Sequence, residues 1–201
     1  LGFFMSNLEN KLKKIIDTFN NVNRNIAYKD IKNLSEKYNK NISVQSVLFQ
    51  IARKVGDIDI SINALKKILL VEKNNISYLS QLYKLLLGKG LFDEALEKIN
   101  FILEIDNKNY DALRDKSYIY FLKNDYIESK KYIENISSLK DDDYFGHNIK
   151  GLIYLKNNFF EEAKIFFNKA IRINRLYLDS YNNLGTCLLE LEKLDEAKKV
   201  F

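Results

Sequence analysis

Few side chains in this sequence could carry out chemistry, and those few are isolated. His147 is the only histidine and Cys187 the only cysteine, so the sequence offers no cage of imidazoles and thiolates for a metal ion. A nucleophilic thiol needs a base and an orienting group beside it, and spacing alone brings neither to Cys187. We therefore predict no catalytic, cofactor-binding or metal-binding residue in this segment. Both side chains are interpreted as packing groups on helices.

Three short motifs resemble functional sites but lack what those sites need. Gly88-Lys89-Gly90 lacks the remaining glycine and the Lys-Ser/Thr ending of a phosphate-binding loop. The aspartates at 141–143 lack the spaced ligands and the glycine of a calcium loop. We interpret both as turns. Asn-Ile-Ser begins at Asn41, Asn75 and Asn135, and it would accept a glycan only in a secretory setting, which nothing else in the sequence supports.

Composition favours a helical chain that does not enter a membrane. The 201 residues are 46% hydrophobic, enough to bury a core, and they include no proline that would interrupt helices. The net charge of +5 is modest and spread along the chain, so it does not indicate a nucleic-acid partner, and such a partner is not expected. No apolar run approaches the roughly 18 residues of a membrane span. The single cysteine favours a reducing, cytoplasmic setting, and the heavy use of Asn, Ile and Lys suggests an A/T-rich bacterial genome.

The clearest pattern is a fixed 34-residue interval. Small residues occupy one slot throughout, and a large apolar residue follows each of them by four positions. The small slot holds Ala27, Ser61, Ala95, Ser129, Ala163 and Ala197, and the large slot holds Ile31, Leu65, Ile99, Ile133, Phe167 and Phe201. No insertion disturbs this register, so each unit is predicted to be the same supersecondary structure.

Each unit is predicted to be two antiparallel helices. In residues 76–109, apolar residues spaced by three and four come before and after the breaker Gly88-Lys89-Gly90. Paired helices approach to about 8–10 Å only where the contact residue is small. Gly151 and Gly185 are expected to serve the same purpose on the first helices. One hairpin cannot bury its apolar face alone, so neighbouring units must stack.

The register divides the chain into six predicted units after an amino-terminal extension at residues 1–7. The units are 8–41, which is degenerate, 42–75, 76–109, 110–143, 144–177 and 178–201, the last of them truncated. Lys11 and Lys14 lie where apolar residues are usual, so the first unit could instead be a solvating cap. Because the last unit ends before its second helix is complete, we expect the natural protein to continue beyond this fragment.

The pattern resembles the tetratricopeptide repeat (TPR). The best match is carried by Tyr181, Leu184, Gly185, Leu188, Ala197 and Phe201, and the next by Gly151, Tyr154, Ala163, Phe167 and Ala170. Phe49, Tyr83, Ser117 and Ser129 depart from the family pattern, and its usual proline is missing. The resemblance covers nearly the whole chain. It implies an all-α, right-handed superhelical solenoid of helix-turn-helix repeats whose first helices line a concave groove.

By this resemblance, the function is that of a non-enzymatic scaffold that holds a peptide or helix of a partner protein in the groove. The predicted groove residues are Gln50, Arg53, Lys84, Arg114, Tyr118, Asn148, Asn182 and Asn183. Arg53, Lys84 and Arg114 would make the groove mildly basic and suited to an acidic ligand. An alternative is the amino-terminal arm of a larger bacterial sulfotransferase or glycosyltransferase, with the catalytic domain beyond Phe201. RNA binding by helical repeats is a further, less favoured alternative.

Overall fold

A computed structural model describes the backbone of residues 2–139 and 142–200, and the side chains of residues 7–136 and 142–200. Two sequence predictions therefore lie outside the described residues. The first is that Asp141 belongs to the turn at 141–143. The second is that Phe201 occupies the large apolar slot.

The described residues form twelve helices and no strand. Their order is α1 (Gly2–Asn21), α2 (Arg24–Lys37), α3 (Ile42–Val55), α4 (Ile58–Leu69), α5 (Ile76–Gly88), α6 (Phe92–Ile105), α7 (Tyr110–Leu122), α8 (Tyr126–Leu139), α9 (Tyr144–Lys156), α10 (Phe160–Ile173), α11 (Leu178–Glu190) and α12 (Leu194–Val200). Each odd-numbered helix is the first of a hairpin and packs against the even-numbered helix that follows it. The prediction of an all-α helical-repeat fold is confirmed.

Helix starts repeat with the predicted period. First helices begin at positions 42, 76, 110, 144 and 178, and second helices at 24, 58, 92, 126, 160 and 194, so every step equals that period. The exception is α1, which begins at Gly2 rather than near position 8. Leu12, Ile15 and Phe19 are buried on α1, whereas Lys11 and Lys14 are exposed. This helix therefore has an apolar face despite its lysines.

The small slot is buried wherever it occurs. Ala27, Ser61, Ala95, Ser129 and Ala163 are 0% exposed and Ala197 is 1% exposed. A Cβ added to Gly151 would lie 2.5 Å from Cε1 of Phe167, a ring that is itself fully buried. Phe167 also belongs to a cluster with Leu184 and Leu188 of the next hairpin. As predicted, small residues allow the helices to approach and the large residue fills the space between successive repeats.

One residue in the turn inside each of five hairpins has a left-handed backbone. Gly56 and Gly90 have φ of +82° and +74°, and Asn124, Asn158 and Glu192 follow at the same repeat interval with φ of 62°, 61° and 58°. Glycine and asparagine tolerate this conformation, whereas a residue such as glutamate is strained in it. This explains the Gly88-Lys89-Gly90 breaker as a turn.

Asparagine caps the start of three first helices. The side-chain oxygens of Asn41, Asn75 and Asn109 accept hydrogen bonds from the backbone N–H groups of Val44, Tyr78 and Ala112. These bonds satisfy amide groups that a helix cannot pair internally. The asparagines that interrupt the apolar pattern at these positions are therefore helix caps. This role explains why asparagine occurs at positions 41 and 75 without invoking glycosylation.

The chain divides into two compact units, Leu1–Ile105 and Asp106–Phe201. The first contains α1 to α6 and the second α7 to α12. In the described part of the chain, no helix has the length and apolar character required to cross a bilayer.

Candidate partner-binding face

In the first compact unit, three of the predicted groove residues lie on first helices with exposed side chains. Gln50 and Arg53 are on α3 and Lys84 is on α5. The Arg53 guanidinium lies 5.6 Å from the centre of the Phe49 ring, and the Lys84 ammonium lies 5.9 Å from that of Tyr83. Neither cation forms a salt bridge with a residue that the structure describes. Both charges are therefore available to a ligand.

Arg114, in the second unit, is in a different situation. Its guanidinium forms salt bridges with Asp111 at 3.1 Å and Asp115 at 2.8 Å, and it lies 5.3 Å from the centre of the Phe145 ring. Two carboxylates offset one positive charge, so Arg114 contributes less to a basic surface than Arg53 or Lys84. Sequence spacing treated the three cations as equivalent, because register alone does not show which carboxylates a cation meets.

Aromatic rings join the first helices of the second unit. Tyr118 of α7 meets Phe145 of α9 edge to face at 5.9 Å between ring centres. Phe145 in turn lies 6.5 Å from Tyr177, the residue just before α11. All three are half-buried. Burial, followed by the charge of Asp179, raises the pKa of the Tyr177 hydroxyl.

Of these aromatic residues, the sequence prediction included Tyr118 alone. A signal for Phe145 was nevertheless present in the repeat register. Its equivalents in the four other repeats from position 42 onward are all polar, namely Ser43, Ser77, Asp111 and Asp179. A single aromatic side chain in an otherwise polar slot marks a position at which this repeat departs from its neighbours.

The three predicted asparagines have distinct environments. Asn148 is 2% exposed, and its Oδ1 accepts hydrogen bonds from the Ser180 hydroxyl and the Asn183 amide, each at 3.0 Å. Asn183 is half-buried and Asn182 is exposed. Asn148 therefore positions the neighbouring amide of Asn183 rather than facing solvent itself. Both hydrogen bonds join α9 to α11 and keep Asn183 in one orientation.

The two isolated chemical groups pack as expected. His147 stacks on Phe166 of the adjacent helix α10, with ring centres 6.1 Å apart. Cys187 is fully buried, and its thiol donates to the carbonyl of Phe160 at 2.9 Å. Burial raises the pKa of this thiol, which disfavours the reactive thiolate. Among residues 7–136 and 142–200, no three histidine, cysteine or acidic side chains cluster as metal ligands would.

Comparisons with known proteins agree with the helical-repeat fold. Family models described as tetratricopeptide repeat match residues 146–175 and 166–199. A tetratricopeptide repeat protein from Parabacteroides merdae ATCC 43184 superposes with a TM-score of 0.79 at 17% identity, over 96% of this chain and 76% of that chain. Two further solved structures share the fold.

The first of these is MamA from Desulfovibrio magneticus RS-1, with a TM-score of 0.65 at 18% identity over 80% of this chain and 90% of that one. The second is PilW, described as a widely conserved type IV pilus biogenesis factor, with a TM-score of 0.70 at 13% identity over 96% of this chain and 89% of that one. The sequence matches none of the curated proteins. At these identities, the structural likeness concerns the fold.

Proposed function

Because the chain is a tetratricopeptide repeat protein, we propose that it is a protein-interaction scaffold that holds a peptide or a helix of its partner against the first helices of its repeats. We further propose that the repeats from position 42 onward follow the unit bounds given by the 34-residue register, whereas the first unit begins with α1 at Gly2. The binding role needs no catalytic group, in keeping with the packing roles of His147 and Cys187. The buried single thiol fits a cytoplasmic setting.

The observation that carries this proposal is the aromatic and amide surface of the second unit. Tyr118, Phe145 and Tyr177 hold one another by ring contacts, so few rotamers remain to be ordered when a ligand binds. Asn183 is held in place by Asn148 and offers an oriented amide beside them. A partner segment would place apolar side chains on the rings and pair its backbone with the amide.

The first unit has a charge preference of its own. Arg53 and Lys84 are exposed cations without carboxylate partners in the described chain, and they lie on two consecutive first helices. An acidic side chain or a terminal carboxylate of the partner would pair with them. Arg114 is already paired with Asp111 and Asp115, so its proposed role is to support Phe145 rather than to supply charge.

Site-specific crosslinking tests whether the partner binds to the first helices of the repeats. A photo-crosslinking amino acid replaces Asn182, which is exposed on the first helix α11, in the full-length protein. In the matched control, it replaces Asn168, which is exposed on the second helix α10. We expect a partner protein to be captured from position 182 and not from position 168. Capture from position 168 alone would place the binding face elsewhere and overturn the assignment.

A partner segment captured in the same way from position 50, which is exposed on α3 in the first unit, then tests the charge preference by isothermal titration calorimetry. Arg53→Glu combined with Lys84→Glu should weaken binding about tenfold or more, since two attractive contacts become repulsive. The control combines Lys40→Glu with Lys108→Glu, the same charge change at exposed turn positions. Equal affinity for the two double variants would show that the first unit's cations do not contact the partner.

A further inference from the structure

A solvent-open cavity of about 520 Å³ lies between the start of α9 and the end of α10, within the second unit. Its walls are formed by Asp142, His147, Lys169, Arg172 and Ile173. None of these residues belongs to the proposed partner-binding face. The volume exceeds that of a bare inorganic ion and falls in the range of pockets that hold small molecules.

The walls of this cavity carry an excess of positive charge. Lys169 and Arg172 are one helical turn apart on α10, and neither forms a salt bridge with a described residue. Among the described wall residues, Asp142 is the one carboxylate, so two permanent cations face one anion and these residues together carry a net charge of +1. Protonation of His147 would raise that to +2.

Neighbouring groups reinforce this charge. Lys150 lies on α9 one turn beyond His147, whereas the nearby carboxylate of Asp143 is buried and accepts a hydrogen bond from Tyr110 at 2.6 Å. Burial is the first cause that lowers the pKa of His147, followed by the positive charges of Lys150, Lys169 and Arg172, with Asp143 opposing them. The imidazole therefore lies in a positive field.

Two of the donors are positioned by one aromatic ring. His147 stacks on Phe166, and the Lys169 ammonium lies 5.2 Å from the centre of the same ring. Nδ1 of His147 is buried and makes no hydrogen bond with a described residue, so no partner dictates which ring nitrogen carries the proton. Because Nδ1 is buried, an anion in the cavity would contact the imidazole through Nε2, and its negative charge would favour the imidazolium by offsetting the positive field.

We propose that this cavity is a binding site for a phosphate group, either inorganic phosphate or the phosphate of a small phosphomonoester. An imidazolium, an ammonium and a guanidinium donate to different oxygens of a tetrahedral oxyanion, and the guanidinium can bind two of them at once. The space beyond the phosphate would accommodate the rest of a phosphomonoester. The site does not depend on the partner-binding role proposed above.

The single histidine makes the test direct, because the imidazole proton signals in an NMR spectrum of the unlabelled protein belong to His147. The pH titration of these signals is followed in sodium phosphate and in sodium chloride of equal ionic strength. We expect phosphate to raise the pKa of His147 and to shift its signals saturably. Binding and protonation are linked, so phosphate should bind more tightly as His147 becomes protonated. A titration curve identical in the two salts would overturn the proposal.

Two further probes distinguish the sources of the phosphate. Tighter binding of adenosine 5′-monophosphate than of inorganic phosphate supports a phosphomonoester, and equal binding supports the inorganic ion. Acetate tests anion specificity. If acetate at the same ionic strength shifts the His147 signals as strongly as phosphate does, the cavity is not a phosphate site.

A matched pair of variants tests the residues. Lys169→Gln with Arg172→Gln should weaken phosphate binding about tenfold or more by removing two charge-assisted contacts. Lys156→Gln with Arg175→Gln removes the same charge from exposed positions of the same hairpin region and should leave binding nearly unchanged. Far-UV circular dichroism and a cooperative urea unfolding transition verify folding in each variant. Equal losses in the two pairs would indicate nonspecific charge attraction and overturn the assignment.

Discussion

Gly151→Ala tests the close helix approach that the repeat requires. The new Cβ would lie 2.5 Å, 2.7 Å and 3.0 Å from Cε1, Cδ1 and Cζ of Phe167. The Phe167 ring is 0% exposed, so it cannot move into solvent to relieve the clash. Overpacking of a core costs about 1–3 kcal/mol, and three ring carbons at or within 3.0 Å indicate the upper end of that range. Alanine recovers about 1 kcal/mol of helix propensity, so the net loss of unfolding free energy should be about 2 kcal/mol.

Gly88→Ala is the matched control for this prediction. Gly88 lies at the end of α5, and an added Cβ would meet no heavy atom within 4 Å. This variant should gain up to about 0.5 kcal/mol from reduced chain entropy. Urea unfolding followed by far-UV circular dichroism measures both variants. With a slope of about 3 kcal/mol per molar urea, Gly151→Ala should lower the midpoint by about 0.7 M.

A double variant separates the clash from other effects of the alanine. Phe167→Leu shortens the ring side chain, so Gly151→Ala should cost less in that background than in the parent, by about 1–2 kcal/mol. If Gly151→Ala unfolds at the same urea concentration as Gly88→Ala, or if its cost is independent of Phe167, the argument from close packing is refuted.

Three other predictions concern a turn, a cap and a titrating side chain. Glu192→Gly should stabilise the chain by about 1 kcal/mol in urea unfolding, because glycine relieves the left-handed strain at φ 58°; lower stability would contradict that reading. Asn75→Ala should cost about 1 kcal/mol by removing the cap of α5, whereas Asn107→Ala in the turn before α7 should change stability little. The folded-state pKa of His147 is lowered, so the unfolded chain gains the proton first as pH falls through about 6.5. Stability should therefore decline from that pH toward the folded pKa, and His147→Gln should show a smaller decline in thermal unfolding measured across this interval.

The repeat architecture could be predicted because it depends on residues close together in sequence. The 34-residue recurrence of small residues, the apolar faces and the breakers determine where helices begin and how each pairs with the next. The apolar face of the amino-terminal helix was harder to predict, because Lys11 and Lys14 interrupt it in the sequence. The structure shows that this face is formed by Leu12, Ile15 and Phe19. The apolar face of a helix is defined by residues spaced three and four apart, and a lysine one position away points to another side of the helix. Such lysines therefore do not prevent burial of the face.

The helix that carries each candidate residue was predictable from the register, but the environment of its side chain was not. The register placed Arg114 and Asn148 on first helices, but it could not show that Arg114 is paired with Asp111 and Asp115 or that Asn148 is buried under Ser180 and Asn183. These states depend on side-chain distances and on exclusion of water, which a linear pattern does not contain.

The amino-acid sequence by itself therefore determined the repeat length, the helix pairs and the small contact residues. These features depend on contacts within one repeat and between adjacent repeats, so they recur at a fixed interval in the sequence. Tertiary structure alone decided which polar groups are accessible. It separated the exposed Arg53 and Lys84 from the paired Arg114, and it brought His147, Lys169 and Arg172 to one cavity. The physical reason is that charge and hydrogen-bonding capacity depend on neighbours in space, and the approach of α9 to α10 supplies those neighbours.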